Sequence, residues 1–133
     1  MTNFEKAAIK AVELLNNQNI TPEDAWFNAI SQFTNSYETQ KKQCPKHAFV
    51  DLYYNNKLKL IHDIPNHSNY PSQNGKYALK AVELITNQPQ LASNKRQLWH
   101  ETLSALNCNT GKAHNGQMDI VIALFNAGLL RME

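Results

Sequence analysis

Residues 5–18 read EKAAIKAVELLNNQ, and residues 75–88 read GKYALKAVELITNQ. Nine of the fourteen positions match: Lys6/Lys76, Ala8/Ala78, Lys10/Lys80, Ala11/Ala81, Val12/Val82, Glu13/Glu83, Leu14/Leu84, Asn17/Asn87 and Gln18/Gln88. Downstream, AWFNAIS at 25–31 aligns with LWHETLS at 98–104 through Trp26/Trp99 and Ser31/Ser104 after a short insertion. FVDLYYNN at 49–56 aligns more faintly with IVIALFNA at 120–127. Self-similarity on this scale is the mark of a tandem duplication.

Each copy reads as three helices. Thr2 and Glu5 have capping-box spacing, and Ala8, Ala11, Val12 and Leu15 recur at i, i+3, i+4, i+7, the period of a helix with one apolar face. Thr21-Pro22-Glu23-Asp24 supplies a capping hydroxyl, a proline at the first helical position and acids facing the helix dipole. Trp26, Phe27, Ile30 and Phe33 are the expected apolar face of that second helix. Residues 34–44 (TNSYETQKKQC) read as polar and irregular, with Pro45 opening the third helix. In the second copy Ser72, Ser93 and Asn115 are the expected caps, and Gly128 the expected left-handed C-terminal residue. The predicted fold is all-α: a first repeat at 1–61, a linker at 62–74 (HDIPNHSNYPSQN) and a second repeat at 75–133, packed about a pseudo-two-fold axis with both tryptophans in the core. A three-helix unit of about sixty residues is marginal alone, so the copies are expected to share one core.

The chain has 133 residues, 42% of them hydrophobic and 18% charged, with a net charge of +2, which excludes a strongly polybasic protein. Seventeen Asn and nine Gln are scattered and suit surface and caps, not a prion-like tract. The first residues, MTNFEKAAIK, lack the apolar run and small-residue cleavage site of a signal peptide, and no apolar run approaches a membrane span. The expected setting is the cytoplasm, with Cys44 and Cys108 reduced, no membrane, and a monomer or homodimer.

The chemistry-bearing residues gather before each third helix: Lys41, Lys42, Cys44, Lys46 and His47 in the first copy, and Cys108, Lys112, His114 and Asn115 in the second. Backbone N–H groups at a helix start and the positive end of its dipole favour an anion, and a lysine there calls for something negative nearby. The candidate binding residues are therefore Lys41, Lys42, Lys46, His47, Lys112, His114 and Asn115. Residues 41–59 also carry Lys57 and Lys59, with Tyr53 and Tyr54 interleaved, a pattern able to follow phosphates. No helix-turn-helix spacing accompanies it. Cys44, His47, Cys108 and His114 form a possible zinc set without a known module's spacing, and the same residues could compose a Cys/His nucleophile without a flanking motif. No phosphate loop, dinucleotide fingerprint or HExxH is present, and no cofactor or catalytic residue is expected. The expected function is a non-catalytic helical binding module for an acidic protein surface or a nucleic-acid backbone. An inhibitor of a nuclease in a mobile-element or host-defence setting would be an example. A small Cys/His enzyme or a metal-binding protein is the alternative.

The order of AVEL, a capped helix with a Trp, Cys44-Pro45-Lys46 leading into Ala48-Phe49, then YALKAVELI, a second Trp and HNGQMDIVIAL resembles a family of small all-helical bacterial proteins of unknown function. The resemblance spans about residues 4 to 130. It implies the all-helical, duplicated fold and lends no activity.

Overall fold

Thr2 begins the first helix by two reciprocal bonds: its hydroxyl accepts the Glu5 N–H at 3.2 Å, and the Glu5 carboxylate accepts the Thr2 N–H at 3.1 Å. The computed structural model describes residues 1–62 and 71–132. Helix α1 spans Asn3–Asn17 and buries Ala7, Ala8, Ala11, Val12, Leu14 and Leu15, the stripe that its period requires. Helix α2 is Pro22–Ile30, α3 a single turn at Tyr37–Gln40, and α4 Gln43–Tyr54. Helix α5 is Gln73–Asn87, followed by a 3-10 segment at Pro89–Ser93. Helices α6 and α7 are Lys95–Ala105 and Gln117–Asn126. The fold is all-helical, and no helix among the described residues is long and apolar enough to cross a membrane.

Helix α1 packs on α2 and α7, and α4 packs on α2, α5 and α7, while α6 closes over α5. Phe49, Leu52, Ile30, Met118 and Ile120 are wholly enclosed at the centre. Trp26 and Trp99 are 1% and 5% exposed and lie in the same buried cluster. Beyond the ends of α4 and α7 two short extended segments meet at an isolated antiparallel bridge between Leu58 and Leu130. There the Lys59 N–H donates to the Leu129 carbonyl at 2.8 Å and the Arg131 N–H to the Lys57 carbonyl at 2.9 Å. Gly128 has φ 71°, the left-handed turn expected of it, and Asn56 ends α4 likewise with φ 60°.

Several boundaries differ from the sequence reading. Residues 34–44 are not wholly irregular, because the Ser36 hydroxyl caps α3 by accepting the Thr39 N–H. Pro45 is inside the first turn of α4, where its missing N–H costs nothing, and the helix starts two residues earlier. Phe27 is 51% exposed, since the buried positions of α2 are 22, 25, 26, 29 and 30 and it falls off that stripe. Most of the expected linker, residues 63–70, lies outside the described residues.

Candidate anion-binding site at two helix starts

Among the described residues, five of the seven α-helices have a side chain closing their N-terminus: Thr2, Thr21, Ser36, Ser72 and Asn94. The two without one are α4, preceded by Lys42, and α7, preceded by Gly116. These are the helices whose starts the sequence singles out. Asn115, the expected cap of α7, does not serve as one. The Gln117 side chain reaches back to accept the Asn115 N–H at 2.7 Å, and Gly116 turns the chain with φ 97°.

The two starts adjoin. A Cβ placed on Gly116 would stand 2.9 Å from the Phe4 ring and 3.3 Å from Pro45, so only glycine lets α7 begin against the first turn of α4. Three ammonium groups surround this junction. Lys42 lies 5.7 Å above the Phe4 ring, and Lys41 lies 4.3 Å above that of Tyr37. Lys112 donates to the Tyr77 hydroxyl at 2.8 Å, which holds its amine above the ordinary lysine range. None of the three meets a carboxylate among the described residues. No acid occupies the first turn of α4, and Asp119 in that of α7 is bound to Lys95 at 2.6 Å and to the Thr2 hydroxyl at 2.9 Å.

The loop carrying Lys112 is held from within: the Trp99 indole N–H donates to the Lys112 carbonyl at 2.7 Å. Tyr77 stacks edge-on against Trp99 at 4.9 Å, and His114 meets the same indole at 6.0 Å. His114 is therefore part of the aromatic support, half-buried, with its Nδ1 unpartnered among the described residues.

Lys46 and His47 stand elsewhere. They line a groove with Glu23, Val50, Asp51, Tyr54 and Ser72, so the Lys46 ammonium shares it with acids of α2 and α4. Asp51 accepts both the N–H and the hydroxyl of Ser72, at 2.9 and 2.7 Å. Tyr54 donates to Glu23 at 3.2 Å, and burial together with the Glu23 charge pushes its phenol up to about 12. The seven candidate residues thus divide: Lys41, Lys42 and Lys112 precede the two starts and have no carboxylate partner among the described residues, although Lys41 and Lys112 donate to the Tyr37 and Tyr77 hydroxyls; His114 and Asn115 belong to the loop before α7; and Lys46 and His47 belong to a groove that also holds Glu23 and Asp51.

Cys44 and Cys108 are free and half-buried. The contacts of the Cys108 thiol are the Leu106 carbonyl at 3.7 Å and the Gln73 amide at 4.0 Å, neither of them a base. No group of three or more His, Cys, Asp or Glu residues able to hold a metal occurs among the described residues, so Cys44, His47, Cys108 and His114 do not gather as a zinc set. Phe4, Tyr77 and Trp99 were not read as site residues. The one available signal was Tyr77, which stands where the first copy has Ala7 in otherwise matching helices.

No curated protein and no solved structure matches the chain. A family model does, over residues 1–131: the chain belongs to a family of unknown function (DUF6979).

Proposed function

We propose that the protein is a non-catalytic binding module whose adjoining α4 and α7 starts receive a carboxylate-rich patch of a partner protein. The observation that carries this reading is that, among the described residues, these are the two α-helix starts without a side-chain cap, and the cations flanking them have no acid partner there. Their N–H groups and dipoles are directed where an external anion would be stabilised. An acidic protein surface fits better than nucleic acid because the chain's net charge is only +2 and the junction offers three ammonium groups. A nucleic acid bound there would show a salt slope of only about −3. The test is native mass spectrometry of protein isolated from its own cells, with and without nuclease, beside the Lys42→Glu, Lys112→Glu double variant. A co-purifying protein that survives nuclease and is lost with the double variant, at a stability within about 0.5 kcal/mol, is the expected result. A nuclease-sensitive mass, or a partner indifferent to both substitutions, overturns it.

We also infer that the chain is a duplication, 1–61 and 75–133 joined by 62–74, with its halves related by a pseudo-two-fold axis. Several observations support this. Exchanging the halves turns the α1–α7 contact into the α5–α4 contact. It also turns each hydrogen bond of the Leu58–Leu130 bridge into the other. The ion pairs Lys10–Glu13 and Lys80–Glu83 correspond as well.

A further inference from the structure

A second basic surface lies at the other end of α4 and α7, independent of the helix-start junction. It is a groove of about 570 Å³ along α5, lined by Lys57, Lys76, Lys80 and Arg131 over a floor that includes Leu79, Val82 and Leu106. Lys57 follows the C-terminus of α4, whose twelve residues separate it from the α4 start by about 18 Å. Among the described residues that line it one acid, Glu83, is present, and it pairs with Lys80 at 2.9 Å. Arg131 reaches the Asn56 side chain at 2.9 Å, while Lys57 and Lys76 meet no acid among the described residues.

Helix ends explain part of this charge. Lys57 and Arg131 follow the C-termini of α4 and α7, where cations complement the exposed carbonyls. Lys76 stands in the first turn of α5, whose start is already met by the Asp51 carboxylate through the Ser72 N–H and hydroxyl, and its own ammonium makes no ion pair among the described residues.

We propose that this groove docks an acidic peptide segment of a partner protein, one with apolar residues between its carboxylates. The charge calls for the carboxylates and the floor for the apolar residues, which a nucleic-acid backbone could not supply. From Lys76 to Asn87 the groove follows α5 for about 16 Å, room for about three helical turns of ligand. Carboxylates would meet Lys57, Lys76 and Arg131 at the rim, while leucine-like side chains would cover Leu79 and Leu106.

The experiment is an NMR titration of the full ¹⁵N-labelled chain with a synthetic amphipathic peptide of about twelve Glu and Leu residues. Saturable shifts confined to 57–59, 76–87, 106 and 131 are expected. Lys57→Glu with Lys76→Glu should weaken binding about tenfold, and Lys57→Ala with Lys76→Ala should weaken it in the same direction by less. Lys42→Glu with Lys112→Glu should leave it unchanged, so failure of this proposal is separable from failure of the helix-start reading. Absence of saturation, shifts at the α4 and α7 starts instead, or equal affinity for an all-Glu peptide or a single-stranded oligonucleotide overturns the proposal.

Discussion

A methyl group on Gly75 would overlap the carboxylate and Cβ of Asp51, although Gly75 stands in the first turn of a helix with ordinary backbone angles. Propensity alone says that alanine there should gain up to about 1 kcal/mol. The contact says the reverse. Asp51 is fixed by two bonds to Ser72, the cap of α5, and cannot withdraw without losing them. Gly75→Ala should therefore cost about 1–3 kcal/mol, the range for forcing atoms into a filled site. Urea unfolding measures it, and a variant as stable as the parent would mean that α4 and α5 are less closely seated. The sequence held no sign of this, because nothing local to GKYALK reveals an aspartate from α4. Site residues follow the same division. Lys41, Lys42 and Lys112 were legible because a lysine before a helix is locally out of place. Phe4 and Trp99 were not, because what they do there is hold other segments. Lys46 and His47 stand beside Glu23 and Asp51, which the local sequence does not announce because Glu23 comes from α2.

Helices, taken as elements, were read well where their ends are set locally and poorly where they are not. Thr2, Thr21 and Ser72 cap as the sequence implies. Ser93 does not, because the 3-10 segment draws its hydroxyl back to the Gln90 carbonyl at 2.8 Å and leaves Asn94 to cap α6. Three helices are then joined by one cation. Lys95 of α6 reaches Asp119 of α7 at 2.6 Å and Glu5 of α1 at 3.5 Å. Burial would raise the Glu5 carboxyl, but bonds from Thr2 and the charge of Lys95 outweigh it and leave it below the ordinary 4.5. Lys95 is itself held above the ordinary 10.5: burial opposes this, and Asp119 and Glu5 overcome it. A depressed carboxyl stabilises the fold fully above its unfolded value, and that stabilisation is lost as pH falls through the folded value. The raised amine contributes fully below 10.5 and loses its contribution as pH rises through the folded value. Lys95→Met should cost about 1–3 kcal/mol at neutral pH, because Asp119 is 5% exposed and would lose its cationic partner. The same variant should flatten the fall in urea midpoint as pH drops below the ordinary 4.5, where the depressed Glu5 carboxyl takes up its proton. A parallel fall in both proteins would show that Lys95 does not govern Glu5.

For the whole molecule, the order of packing matters more than the content of each half. Helix α1 seats on α7, and α4 on α5, so each half presents its buried stripes to the other. Ala7, Ala11 and Leu15 of α1, or Phe49 and Leu52 of α4, belong to one continuous core that draws on both halves. If the halves are duplicated units, neither copy encloses its own interior, and a segment of about sixty residues is marginal alone. The repeat in residues 5–18 and 75–88 suggested the copies, but a repeat is equally compatible with two beads on a string. The crossed contacts favour a shared core. The chain divided into 1–66 and 67–133 separates these possibilities. Each fragment alone should show little helical circular dichroism and no cooperative thermal transition. Mixed at equal concentration, the two should recover the helicity of the intact chain, with a midpoint that rises with concentration, as required when folding and association are one step. Cooperative unfolding of either fragment by itself would show that the halves are separate domains resting against each other, and the contact between them would then be a docking contact instead of the core.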